Sequence, residues 1–145
     1  MKEVKSTHVG AYGFIIKDDC IALIKKARGG YKGMLDIPGG GIEHDETPSD
    51  ALKRELMEEA GVTVNNFELI DVTSRTFKWQ MYEDTKEDLH HIGVLYKVDV
   101  SEDEVKSEAD GIDSAGCNFY KINELDKEQL TPFTIDGLIK LGYKL

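Results

Sequence analysis

At 145 residues, with a formal net charge of −10 and a pI near 4.8, the chain is sized for a single domain over 1–145 with a proper core. So acidic a balance excludes extended nucleic acid as a partner, because phosphate backbones are bound by Lys and Arg patches. It leaves a small phosphorylated molecule open, since a metal ion and a few local cations reverse the field inside a pocket.

No apolar run reaches the ~20 residues of a membrane span, and the N-terminus shows no secretory pattern. Two cysteines, Cys20 and Cys117, are too few for a disulfide framework, so a reduced, cytoplasmic setting is expected. From Thr7 to Ala27 the alternating and then continuous apolar pattern predicts two strands around a turn at Lys17-Asp18-Asp19. Lys25, Lys26 and Arg28 close the second strand as edge charges. The glycines of Arg28–Gly33 make a loop, and Met34–Ile37 reads as a short strand delivering the chain into a glycine turn at Gly39, Gly40 and Gly41.

A helix is predicted from Pro48 to Ala60. Thr47 is its N-cap, Pro48 sits where a missing N–H does no harm, Asp50 lies in the first turn, and Gly61 terminates it. At ~100° per residue, Leu52, Leu56 and Ala60 form the stripe that packs on a sheet. Glu55, Glu58 and Glu59 fall beside that stripe, and Asp50, Lys53, Arg54 and Met57 take the wetter side. An acidic helix face is also what an ordinary solvated surface looks like. Carboxylates three and four apart repel one another, however, and hard oxygen ligands at that spacing suit Mg²⁺ or Mn²⁺. The glycines add to this: a carbonyl such as that of Gly39 can join a metal, and the amides of Gly40 and Gly41 can face phosphate oxygens.

Beyond the helix, a strand is predicted near Phe67–Ser74, with Arg75–Asp84 continuing it and then leaving as a hairpin loop. Phe77, Trp79 and Tyr82 are the dense aromatic group there, and Trp79 either stacks on a base or caps the core. His90–Val100 is the clearest strand. Its His90-His91 pair does not serve one ion easily, since adjacent strand residues face opposite ways. Ser101–Ser114 is an acidic loop, Cys117–Ile122 a last strand, and Phe133–Leu141 a C-terminal helix begun at Thr131-Pro132, with Phe133, Leu138 and Leu141 facing inward. Pattern alone supports an α/β single domain without internal repeats.

Gly40, Glu46, Arg54-Glu55-Leu56, Glu58-Glu59 and Gly61-Val62 stand at spacings similar to the full 23-residue signature of the Nudix (MutT-like) hydrolases. One mild departure precedes it: Leu35-Asp36 stands where many members carry a tryptophan. The resemblance implies an α/β/α sandwich with a mixed β-sheet between helix layers. It also implies Mg²⁺-dependent hydrolysis of the diphosphate linkage of a nucleoside diphosphate derivative. A (deoxy)nucleoside triphosphate is the working substrate; a nucleotide sugar, a dinucleoside polyphosphate or a non-catalytic nucleotide-binding role are the alternatives. On this reading Gly39, Glu55, Glu58 and Glu59 hold metal, with Glu55 also able to take a proton from water. Arg54 and Glu46 orient the acids, with Arg54 within helical reach of Glu58. Arg28, Gly40, Gly41 and Trp79 meet substrate, with Lys26 a further cation near its phosphates. A late-loop carboxylate, one of Glu108, Asp110 and Asp113, with Asp113 chosen, completes the site. Dimers are frequent among similar proteins, so a homodimer stays open.

Overall fold

The computed structural model describes residues 1–109 and 114–145, which places Asp110 and Asp113 outside the described residues. Among the described residues, seven strands and two α-helices follow in the order β1 (Lys2–Lys17), β2 (Cys20–Lys26), β3 (Leu35–Asp36), β4 (Gly39–Gly41), α1 (Pro48–Ala60), β5 (Val64–Tyr82), β6 (Thr85–Val100), β7 (Ser114–Lys121) and α2 (Pro132–Lys140). The main path of the sheet is β3-β2-β1-β6-β5, with β4 added on β1 and β7 on β2. Only β1 and β6 run parallel among these pairs. Among the described residues no helix is long and apolar enough to cross a membrane.

β1 organises both layers. Lys2–Lys5 are exposed, Ser6–Val9 alternate in exposure, and from Gly10 to Ile15 every position is buried, because that stretch lies between two helices. On one face Ala11 and Ile15 pack with Ala22, Ile24 and Val98 against Ala51, Leu52, Leu56 and Ala60 of α1. On the other, Tyr12 and Phe14 pack with Ile21, Leu23 and Leu95 against Phe133 and Leu138 of α2. This is the α/β/α sandwich with a mixed sheet that the sequence led us to expect. Each fully buried Leu contributes about 1.5–3 kcal/mol of transfer free energy.

α1 has its expected limits. The Asp50 N–H donates to Thr47 Oγ1 at 3.1 Å, and the Thr47 N–H donates to Asp50 Oδ2 at 3.4 Å, a reciprocal box that occupies two otherwise orphaned donors. Gly61 closes the helix at φ 68°, its N–H donating to the carbonyls of Leu56 and Met57.

Four expectations are corrected by long-range pairing. β1 begins at Lys2 rather than near Thr7, since Lys2–Ser6 finds a parallel partner in Thr85–Leu89. For the same reason β6 begins at Thr85 rather than His90. Arg75–Tyr82 stays in β5 opposite β6, so the hairpin tip is only Glu83-Asp84. Gly39–Gly41 is a short strand and not a turn: it pairs antiparallel with Gly10–Tyr12. Glycine is required in it, because Gly39 has φ 146° and a Cβ there would lie 2.2 Å from the Ala11 carbonyl oxygen.

Gly137 shows how closely α2 approaches the sheet, since a Cβ on it would lie 2.0 Å from Cζ of the fully buried Phe14. Gly137→Val should therefore destabilise the protein by about 2 kcal/mol or more through overpacking. In chemical denaturation this would lower the midpoint with little change in slope.

Candidate active site

Arg54 is the hub of the acidic region. Its Nε donates to Glu46 Oε2 and its Nη2 to Glu46 Oε1, both at 2.8 Å, a bidentate pair. Nη1 donates to Glu55 Oε1 at 2.8 Å, and Nη2 also reaches the Gly41 carbonyl at 3.0 Å. Glu58, expected within helical reach of Arg54, is met by Nη1 at 3.4 Å. Glu46 is held more closely because the loop after β4 folds back, its Oε1 also accepting the Glu43 N–H at 2.9 Å. The guanidinium hydrogen bonds hold the Glu46 carboxyl down at about 2, and the Arg54 pKa rises in return.

Glu55 and Glu59 both meet the glycine strand. The Gly39 N–H donates to Glu59 Oε1 at 2.8 Å. A Cβ on Gly40 would lie 2.8 Å from either Glu55 oxygen, so a side chain there would displace that carboxylate. Glu59 is 5% exposed. Burial pushes its pKa up to about 8, the Gly39 amide opposes the shift, and neighbouring Glu55 adds to it. Beneath it, burial and then Glu59 push the Cys117 thiol up to about 12, so that cysteine is an inert core residue. Glu58 is exposed. Among the described residues no three His, Cys, Asp or Glu side chains converge in a ligating group.

The residues nevertheless fit a hard divalent cation. A buried carboxylate and a half-buried one flank the same cradle of glycine backbone, and their mutual repulsion is what a cation relieves. Glu55, Glu59 and the glycine backbone would hold it, with Glu58 one turn away.

A cleft of about 650 Å³ opens beside this cradle. Of the residues singled out from sequence as candidates, it is lined by Lys26, Arg28, Gly39, Gly40, Gly41, Glu55 and the aromatics Phe77, Trp79 and Tyr82. Arg54, Glu46, Glu58 and Glu59 do not line it. Glu108 is exposed and away from it.

Sequence reasoning missed three groups in the cleft wall. The first is His8 and His91, stacked with ring centroids 5.1 Å apart. Burial drives the His91 pKa down to about 4, so the ring is neutral, and its Nε2 shares a hydrogen bond with Tyr12 Oη at 2.6 Å. The second is Asp36, whose Oδ1 accepts from Thr131 Oγ1 at 2.6 Å and Thr134 Oγ1 at 3.3 Å. It ties β3 to the head of α2, and burial raises its pKa. The third is Glu87, which accepts from Trp79 and Ser6. Their signal was the period of two: His8, Glu87, Leu89 and His91 share one sheet face, which shows only once β1 and β6 are paired.

The NUDIX domain model matches residues 6–139. This chain belongs to the Nudix family. It is 33% identical over 119 residues to an ADP-ribose pyrophosphatase of Methanocaldococcus jannaschii, covering 82% of this chain and 64% of that protein. It is 32% identical over 78 residues to an 8-oxo-dGTP diphosphatase of Proteus vulgaris, covering 53% of this chain and 70% of the other. The chain thus spans under two thirds of the archaeal Nudix relative's length. Its fold is that of a MutT NUDIX hydrolase from Burkholderia pseudomallei, with a TM-score of 0.75 at 24% identity over 94% of this chain and 98% of that one.

His91 makes stability depend on pH in a definite direction. Its folded-state pKa, about 4, lies below the 6.5 of an unperturbed imidazole. Below pH ~6.5 the unfolded chain binds a proton that the folded chain refuses until pH ~4. This contribution is therefore harmless above pH ~6.5, erodes stability from there down to pH ~4, and then levels. His91→Gln keeps a hydrogen-bonding group for Tyr12 and does not titrate. Melting curves between pH 7 and 4 should fall less steeply for the variant than for the parent chain.

Proposed function

We propose that this Nudix chain is a divalent-metal-dependent pyrophosphohydrolase acting on a nucleoside diphosphate derivative, with Mg²⁺ as the ion and a (deoxy)nucleoside triphosphate as the working substrate. The observation that carries the reading is the meeting of Glu55 and Glu59 at one glycine strand at the head of a cleft sized for a nucleotide. A diphosphate is strongly anionic and repels a nucleophile. When bound, the metal supplies neutralisation of that charge and polarisation of the phosphoryl oxygens.

The chain's own groups divide the remaining work. Arg54 restrains Glu55 and, through Glu46 and the Gly41 carbonyl, fixes helix α1 against the glycine strand. Glu55, the helix carboxylate that lines the cleft, is the group placed to accept a proton from attacking water. Lys26 and Arg28, which also line the cleft, supply positive charge for the phosphates.

A second reading of the substrate is ADP-ribose. It is supported by the archaeal ADP-ribose pyrophosphatase, the relative that aligns over 82% of this chain. Incubating the protein with deoxynucleoside triphosphates, 8-oxo-dGTP and ADP-ribose, each with Mg²⁺, Mn²⁺ or EDTA, distinguishes the two. Pyrophosphate released from triphosphates favours the first, and AMP with ribose 5-phosphate the second.

On whichever substrate turns over, Glu55→Gln should lower kcat by about 100-fold or more. Glu58→Gln should raise the metal concentration needed for half-maximal rate while leaving the melting temperature unchanged, since its side chain is exposed. Full turnover by Glu55→Gln would remove it from the proton-accepting role.

A further inference from the structure

We infer that Glu87 is a positioning residue that fixes the Trp79 indole as a stacking wall for the planar base of the substrate. The inference deepens the functional reading above and rests on it. Trp79 and Glu87 are directly opposite one another on β5 and β6, so their side chains leave the sheet on the same face. That face is the cleft wall. The indole Nε1–H donates to Glu87 Oε1 at 2.7 Å, and the second oxygen of the same carboxylate accepts from Ser6 Oγ at 2.6 Å. One carboxylate therefore spans three strands, β5, β6 and β1, and uses both its oxygens on neutral donors.

The neighbouring aromatics are held differently. Phe77 packs on Tyr31 with ring centroids 4.7 Å apart and closes over Gly30, where a Cβ would lie 2.2 Å from its ring. Its faces are occupied by the protein. Trp79 has no ring partner among the described residues, and what holds it is a hydrogen bond at its edge. An indole pinned by its N–H and left unstacked offers a π-face to the cleft. Such a face suits a planar heteroaromatic ring, with base–aromatic stacking contributing about 1–3 kcal/mol per base. A sugar phosphate without a base has nothing to place there.

Trp79 is the single tryptophan of the chain, so its emission reports this site alone. In EDTA, ADP should quench the fluorescence of the wild-type protein saturably, and ribose 5-phosphate should not. Glu87→Ala should lower the anisotropy of Trp79 and weaken the ADP quench. On the substrate identified by the nucleotide panel it should raise KM severalfold, with kcat held within about twofold. Glu87→Gln, which still offers Nε1–H an acceptor, should restore much of that loss. Ser6→Ala, which removes only the second tether and leaves the indole partner in place, should give a smaller shift in the same direction.

Circular dichroism and melting of each variant separate a lost tether from a lost fold; should Glu87→Ala fail to fold, the comparison rests on Ser6→Ala and Glu87→Gln. Equal quenching by ribose 5-phosphate overturns the base assignment. Wild-type anisotropy and KM in Glu87→Ala, or in Ser6→Ala where that variant stands in, overturns the positioning role. Hydrolysis of the panel without any ADP-dependent change in Trp79 emission sinks this inference and spares the proposed function, whereas absence of hydrolysis across the panel sinks the functional reading itself.

Discussion

A single guanidinium holds the acidic end of this molecule together. Four carboxylates lie within salt-bridge distance of Arg54: Glu43, Glu46, Glu55 and Glu58. In a chain already at −10, so many like charges on one loop and helix face would push the elements apart. Arg54 reverses that by engaging Glu46 on both oxygens, Glu55 on one, and the backbone of Gly41. A lysine, with one point charge and no fork, does not reproduce that pattern. Arg54 thereby restrains Glu55 over Gly40 and ties α1 to the end of the glycine strand.

Charge and packing cooperate on opposite sides of that helix. The buried stripe of Leu52, Leu56 and Ala60 seats α1 on β1 and its neighbours, and Glu59 sits at the edge of this apolar layer against the Gly39 amide. Water is largely excluded there, which is why Glu59 is pushed toward its neutral form while exposed Glu58 is not buried at all. Three acids within five residues of one helix thus occupy three environments: buried, cleft-facing and solvated.

The other end of the cleft is built by pairing across the sheet. The long β5–β6 hairpin and the first residues of β1 run side by side far beyond the two helices. They carry Trp79, Glu87, Leu89, His91 and His8 on a single face. The cleft therefore has a charged head made by local sequence and an aromatic wall made by tertiary pairing. Asp36, bound to Thr131 and Thr134, anchors the floor between them by linking β3 to the start of α2. The hydroxyl of Thr131 serves this contact, and α2 begins without a side-chain cap.

Much of the charged head was legible in the chain itself. The limits of α1, its buried stripe, the Thr47–Asp50 cap and the αL glycine are set by interactions within a few residues, and local spacing determines them. The α/β character also followed from apolar runs that need cover on both faces, and the three-layered sandwich from the family resemblance. What tertiary structure decided was everything that depends on a partner far along the chain. Glu46 became the bidentate partner of Arg54, closer than Glu58, because a loop returned to the helix. The glycines became a strand because β1 offered its backbone. Trp79 and the two cleft histidines gained a common face only when parallel and antiparallel registers were set. Helical periodicity is a property of one segment, whereas a sheet face is shared between segments, and no single stretch of sequence states which neighbour it will have.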